Sequence, residues 1–213
     1  MIRQGLRPGV PSARRVIVVC PTSLVGNWAK EIGKWVGDGV KLLALSEAGR
    51  DRAIMDITTF LPTHTYPVLI ISYETFRIHC TRFQHRADSC DLLICDEAHR
   101  LKNDRTLTTQ SLAGLACRRR ILLSGTPMQN DLEEFWAMVD FTNPGILGDA
   151  AEFRRRYANP ILESREPWAS ERVREKGEAA SKELSNVVNQ VGAPASHRRA
   201  RARDRAVAPS PPA

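Results

Sequence analysis

The 213 residues contain no G-x-x-x-x-G-K-[ST] run, so the glycine-rich loop whose amides would cradle nucleotide phosphates is missing from them. No apolar stretch reaches the length of a bilayer core, and no secretory signal precedes the first strand-like run. The five cysteines, at positions 20, 80, 90, 95 and 117, form no C-x-x-C pair and no even framework, which predicts a reducing compartment. Three of them lie in or beside apolar runs and read as small buried hydrophobes. Cys95 and His99 stand at a ligand-like separation, but the motif described below employs both positions, and metal binding by this pair is not expected. An acidic excess is lacking too: the formal charge is +7. Residues 191–213 hold five Arg against one Asp and contribute +4 of it, leaving +3 for the body. Whole-chain charge is therefore a weak pointer to nucleic acid.

What is present is enough apolar sequence, 42%, for one well-cored domain at this length. Short β-branched runs alternate with segments of helical period. Val16 to Cys20 and Pro67 to Ser72 read as strands buried on both faces of a parallel sheet, and Val40 to Leu45 as another strand. Between them, Leu24, Trp28, Ile32, Trp35 and Val36 recur at helical spacing with Thr22 or Ser23 available as N-cap. Ala53 to Leu61 and Leu107 to Ala116 read as helices. Asp131 followed by Glu134 makes a capping box ahead of Leu132, Phe135, Trp136 and Val139. The alternation predicts an α/β fold with an open parallel sheet.

Two strands end in chemistry. Leu92-Leu93-Ile94-Cys95 runs into Asp96-Glu97-Ala98-His99, and Ile121-Leu122-Leu123 into Ser124-Gly125-Thr126-Pro127-Met128-Gln129-Asn130. Acidic residues at the carboxyl end of a buried parallel strand face the crevice where ligands bind in such sheets. Asp96 is placed there to hold Mg²⁺ through water, since that ion sheds its hydration shell reluctantly. Glu97 is placed to polarise the water that attacks a γ-phosphate. His99 is expected to reach the small-residue segment Ser124-Gly125-Thr126, with Gln129 beyond it. For the four letters alone, a solvated acidic turn is the ordinary alternative.

Asp96 to Asn103 followed by Leu123 to Asn130 resembles the Swi/Snf-type branch of helicase-related ATPases, with a DEAH box at Asp96. Val19 to Trp28, Leu69 to Arg77 and Phe141 to Gly148 further resemble the recombination-repair translocases of the RAD-fifty-four type, and the likeness covers roughly residues 1 to 190. The resemblance implies two RecA-like lobes hydrolysing ATP with Mg²⁺ between them, pumping along double-stranded DNA without separating its strands. It implies work in homologous recombination, repair and chromatin remodelling in the nucleus, with a recombinase filament as a candidate partner and no membrane. Residues 1–143 then correspond to part of the first lobe, after the phosphate-binding loop. Residues 144–190 begin a helical insertion, poorly anchored without its partner helices. The second lobe and its arginine finger are expected to be missing, so the 213 residues alone are expected to bind no ATP or Mg²⁺ and to be inactive. The alternatives are a non-catalytic module binding DNA or a recombinase, and a non-functional truncated product.

The same resemblance places phosphate contacts at Pro21, Thr22 and Ser23, at Ser72 and Tyr73, and at Lys102 and Asn103. Each has a plain alternative: Thr22 and Ser23 as caps, Tyr73 as a packing residue, Lys102 as a solvated charge. The Arg154-Arg155-Arg156 run reads equally as a solvated helix face or a DNA-facing one. Val173, Ala180, Leu184, Val187 and Val188 keep an approximate helical period.

Beyond Gln190 the resemblance stops, in the manner of a frame change, and residues 191–213 become rich in Ala, Arg and Pro without apolar periodicity. Such a segment has nothing to bury against its chain entropy and is expected to be disordered. In amide exchange it should exchange as an unfolded chain does. Any DNA affinity it adds should fall with salt at a slope of about −0.9 per phosphate neutralised. Strong protection across the segment would refute the expectation.

Overall fold

The computed structural model describes residues 11–45, 50–63, 65–84, 86–101, 106–125 and 131–192. Thr126 to Asn130, Lys102 and Asn103, Met1 to Val10 and the tail beyond Gly192 lie outside the described residues. The chain divides into two compact units at Asn143 and Pro144.

The first unit holds β1 (Val16–Cys20), α1 (Val25–Val36), β2 (Leu42–Leu45), α2 (Arg50–Phe60), β3 (Val68–Ser72), α3 (Tyr73–His79), α4 (Thr81–Gln84), β4 (Leu92–Cys95), α5 (Leu107–Ala113), β5 (Arg120–Leu122) and α6 (Leu132–Thr142). The five strands form one sheet in the order β2-β3-β1-β4-β5, every pair parallel. Val16 stands opposite both Val68 and Leu92, and Leu93 stands opposite Arg120.

Side chains alternate across the sheet. Ile17, Val19, Leu69, Ile71, Leu93 and Cys95 enter one apolar layer with Ile57, Phe60, Phe76, Phe83, Leu112 and Phe141. Val16, Val18, Cys20, Val68 and Ile70 enter the other with Val25, Leu24, Trp28 and Ile32. Burial on both faces is why β1 and β3 read as unbroken apolar runs. At the amino end, Arg15 is buried at 2% exposure. It offsets that by donating Nη1 to the Leu61 carbonyl at 2.6 Å and Nη2 to that of Thr63 at 3.2 Å, with its guanidinium over the Phe60 ring.

Several local expectations change. A 3-10 turn at Thr22–Leu24 leads into α1, and neither Thr22 nor Ser23 caps it. Thr22 Oγ1 instead donates to Glu74 Oε2 at 3.3 Å. Trp35, expected on the apolar stripe, is 77% exposed and donates to Glu31 one turn back at 3.0 Å. A further 3-10 turn at Gly37–Gly39 delays β2 to Leu42. The helix expected to run to Ala116 stops at Ala113, where Gly114 backs onto Gln84. Asp131 does cap α6, accepting from the amides of Glu133 and Glu134, each at 3.0 Å.

The second unit contains α7 (Ala150–Phe153), a π-helical turn at Arg154–Ala158, α8 (Asn159–Ser164) and α9 (Glu171–Gly192). Phe153, Tyr157, Ile161, Ala180 and Leu184 are among its buried apolar side chains. The Arg154-Arg155-Arg156 run is exposed, and Arg156 pairs with Glu183 of α9. Within this unit α9 lies against α8 so closely that Gly177 meets Ser164 and the Pro160 carbonyl oxygen. It also continues through Gly192, two residues into the segment that the sequence assigns to the tail.

Two glycines in helices should therefore respond oppositely to alanine. At Gly33 a Cβ meets nothing within 4 Å, so Gly33→Ala should stabilise by about 0.5–1 kcal/mol through helix propensity. At Gly177 a Cβ would sit 2.7 Å from the Pro160 carbonyl oxygen, so Gly177→Ala should destabilise by about 1–3 kcal/mol through overpacking. Urea unfolding of the two variants checks the sign of each.

Candidate active site at the carboxyl edge of the sheet

Because all five strands run the same way, Cys20, Ser72, Cys95 and Leu122 finish on one edge. Asp96 extends β4 by one step, its amide donating to the Val19 carbonyl at 2.8 Å. Its carboxylate is then fixed twice. Oδ1 accepts the Glu97 amide at 2.9 Å, and Oδ2 accepts the indole Nε1–H of Trp28 at 2.8 Å. Its carbonyl accepts the Tyr73 hydroxyl, also at 2.8 Å. Each carboxylate oxygen keeps a lone pair, and the group is half-buried.

Glu97 has φ = 51°, the one non-glycine residue with positive φ among those described. The turn is held from beyond. Leu123 donates its amide to the Cys95 carbonyl, and Ala98 donates back to that of Leu123, each at 2.8 Å. Ala98 and Leu101, buried in the 3-10 turn Ala98–Leu101, anchor the far side. Glu97 thus swings out of the strand line with its carboxylate half-buried. Its Oε1 lies 4.0 Å from where a Cβ on Gly125 would be, an ordinary contact distance. His99 Nδ1 sits 3.2 Å from Glu97 Oε2, within ion-pair reach but not aligned for a hydrogen bond. Glu97 thus faces both His99 and Gly125, where His99 itself had been expected to meet residues 124–126. Ser124 is exposed beside Gly125; Thr126 and Gln129 lie outside the described residues.

The neighbouring rim carries a second charged group. Glu74 Oε1 accepts from Arg100 Nη1 at 3.1 Å, and Oε2 accepts from Thr22. Burial works to raise the Glu74 pKa, but its own amide, Arg100 and Thr22 outweigh it and hold the carboxyl below its ordinary range. Arg100 also stands over the Tyr73 ring. Burial first, then Cys95 and Asp96, push the Tyr73 phenol up despite Arg100, so it remains a donor. The Cys20 thiol is pushed up to about 12, by burial and then by Asp96 and Glu74.

The structure corrects two of the anticipated phosphate contacts. Ser72 and Tyr73 are each 2% exposed. The Ser72 hydroxyl accepts the Thr75 amide at 3.0 Å and donates to Thr75 Oγ1 at 2.9 Å as the cap of α3. The Tyr73 hydroxyl is committed to Asp96. Both face inward, and the packing alternative for Tyr73 holds. Pro21 is half-buried while Thr22 and Ser23 are exposed at the end of β1. Lys102 and Asn103 lie outside the described residues. Trp28, Glu74 and Arg100 joined the site unannounced. Trp28 reads in sequence as one more apolar position, and only its indole N–H, which needs a partner when half-buried, hinted otherwise.

The architecture has counterparts. A Sulfolobus solfataricus SWI2/SNF2 ATPase core in complex with dsDNA superimposes with a TM-score of 0.59 at 25% identity, over 79% of this chain and 33% of that one. The Arabidopsis thaliana "Protein CHROMATIN REMODELING 25" is 59% identical over 183 residues, covering 85% of this chain and 20% of its own. The human "DNA repair and recombination protein RAD54-like" is 44% identical over 183 residues, covering 84% and 24% respectively. The chain thus spans about a fifth to a quarter of the length of these curated relatives. The SNF2-related domain matches residues 6–200, nearly the whole of the chain, which belongs to the SNF2-related family.

Proposed function

We propose that this chain is the first RecA-like lobe of an ATP-driven motor that moves along double-stranded DNA in recombination repair and chromatin remodelling. In this reading residues 1–143 form part of that lobe, and residues 144–190 begin its helical insertion. The observation that carries it is the pair of carboxylates at the carboxyl end of β4. Asp96 is held rigid by three internal hydrogen bonds, and Glu97 is turned out beside His99 and Gly125.

The donor set fits Mg²⁺. Asp96 retains free lone pairs on a half-buried anionic carboxylate, and the nearby Arg100 is engaged with Glu74 rather than with Asp96. When bound, the ion would neutralise the β- and γ-phosphate charge of ATP. Glu97 would orient and polarise the attacking water, and His99 would steady Glu97. Thr126 and Gln129 would couple this edge to duplex binding. In the 3-10 turn that leads into α1, Thr22 and Ser23 are exposed, and their amides and the Ser23 hydroxyl would donate to a backbone phosphate, with the Thr22 hydroxyl having to leave Glu74 to join them. Lys102 and Asn103 would extend that track, and all such contacts position the duplex without reading its bases. The dsDNA in the Sulfolobus complex and the recombination-repair names of the relatives support duplex DNA as the partner, and the nucleus would be the place of work. A recombinase filament is the protein partner to test.

The test is a graft of residues 6–190 into the Arabidopsis relative in place of its matching segment. DNA-stimulated phosphate release should appear in the graft and be abolished by Glu97→Gln, with duplex affinity unchanged. Duplex binding by a folded graft without turnover would instead favour a non-catalytic module, and full activity of Glu97→Gln would remove the catalytic assignment.

In the same graft, Trp28→Phe should keep the fold and lower turnover about 10- to 100-fold, the usual loss when a group that orients a metal-holding side chain is removed. More Mg²⁺ should be needed for half-maximal rate. An unchanged Mg²⁺ requirement would show the indole bond to be incidental.

A further inference from the structure

At the opposite end of the sheet, Cys90 and Cys117 lead into β4 and β5. These strands pair in parallel with Leu93 opposite Arg120, and each cysteine lies three residues ahead of its member of that pair, so the two enter side by side. They are 4% and 3% exposed and share one cluster of packed side chains. The Cys117 Sγ–H donates to the Arg119 carbonyl at 3.3 Å. The neighbouring Cys90 thiol draws the Cys117 thiol below its ordinary pKa against the effect of burial. Cys117, and then burial, push the Cys90 thiol up.

A surface cavity of about 430 Å³ opens onto this corner, lined by Cys90, Asp91, Ala116, Arg118 and Arg119 among others. A small solute can reach Cys90 and the residues flanking Cys117 through it, and Arg120 favours a Cys117 thiolate. The remaining cysteines are not arranged this way. Cys95 stands opposite Val19, and Cys20 turns into the other apolar layer. Cys80 is half-buried at the junction of α3 and α4.

We propose that Cys90 and Cys117 form an oxidisable dithiol that closes to an intramolecular disulfide when the protein meets a hydroperoxide. The Cys117 thiolate attacks the peroxide oxygen; the O–O bond breaks, an alcohol or water leaves after taking up a proton, and Cys117 becomes a sulfenic acid. The Cys90 sulfur then attacks the Cys117 sulfur, the S–O bond breaks, and the Cys90 proton leaves with the hydroxyl as water. Two electrons pass from the sulfurs to the peroxide, and a dithiol reductant reverses the change. The bond would join the entries of the two strands whose far ends carry Asp96, Glu97, Ser124 and Gly125.

The test uses the reduced 213-residue protein, treated with hydrogen peroxide, alkylated and mapped by peptide mass. A Cys90–Cys117 linked peptide should form, with two of the five thiols lost to alkylation and regained after dithiothreitol. The same treatment in urea should scatter the linkages. Cys90→Ser should give no linked peptide and leave a Cys117 sulfenic acid that dimedone traps. Five alkylatable thiols after peroxide would overturn the proposal. So would linkages spread over Cys20, Cys80 and Cys95 in the folded protein, or the same linkage pattern with and without urea.

Discussion

The amide of Asp96 bonded to the carbonyl of Val19 is the contact on which the rest of the edge depends. It continues the parallel ladder between β1 and β4 by one residue, so the carboxylate is aimed by the sheet rather than by a loop. The register of β4 is fixed in turn by apolar side chains on both faces, and a slip of one residue would carry Leu93 and Cys95 into the wrong layer. Hydrophobic burial thereby sets the position of a charged group that it never touches. Parallel pairing does the remainder, since it brings the ends of β1, β3, β4 and β5 to one side where a single crevice can use them all.

Around that aimed carboxylate the charges are segregated. Arg100, on the rim, is spent on Glu74 and on the Tyr73 ring. Were it free to swing to Asp96, it would neutralise that carboxylate. Glu74 thus protects the anionic character of Asp96 without contacting it, while Trp28 and Tyr73 grip Asp96 with neutral donors that leave its charge intact. The surface pair of Arg100 and Glu74 contributes little to stability in itself; what it sets is which carboxylate stays available.

Much of this was legible in the chain, for local reasons. Strands buried on both faces need continuous apolar runs, and β1, β3 and β4 show them. Asp131 caps the next few amides and so announces α6 within four letters. What escaped was set by distant partners. Thr22 looks like a cap and would serve as one, but Glu74, far along the sequence, takes its hydroxyl. Tyr73 looks like a rim residue until β4 arrives to accept its proton. α3 is too short to display a period, and Trp28 falls on the apolar stripe that its ring fills while its nitrogen serves Asp96. Gly177 gave no sign of its tight seat against Ser164, because that contact exists only once α8 and α9 meet.

The backbone of Glu97 has one further consequence. A residue with a Cβ held at φ = 51° costs about 1–2 kcal/mol relative to ordinary helical backbone; glycine would relieve this entirely and asparagine in part. Under the proposed function, turnover would need the carboxylate at position 97, so stability and turnover would pull that position in opposite directions. A lineage in which that proposed role lapsed would find a stabilising step of this size open at codon 97.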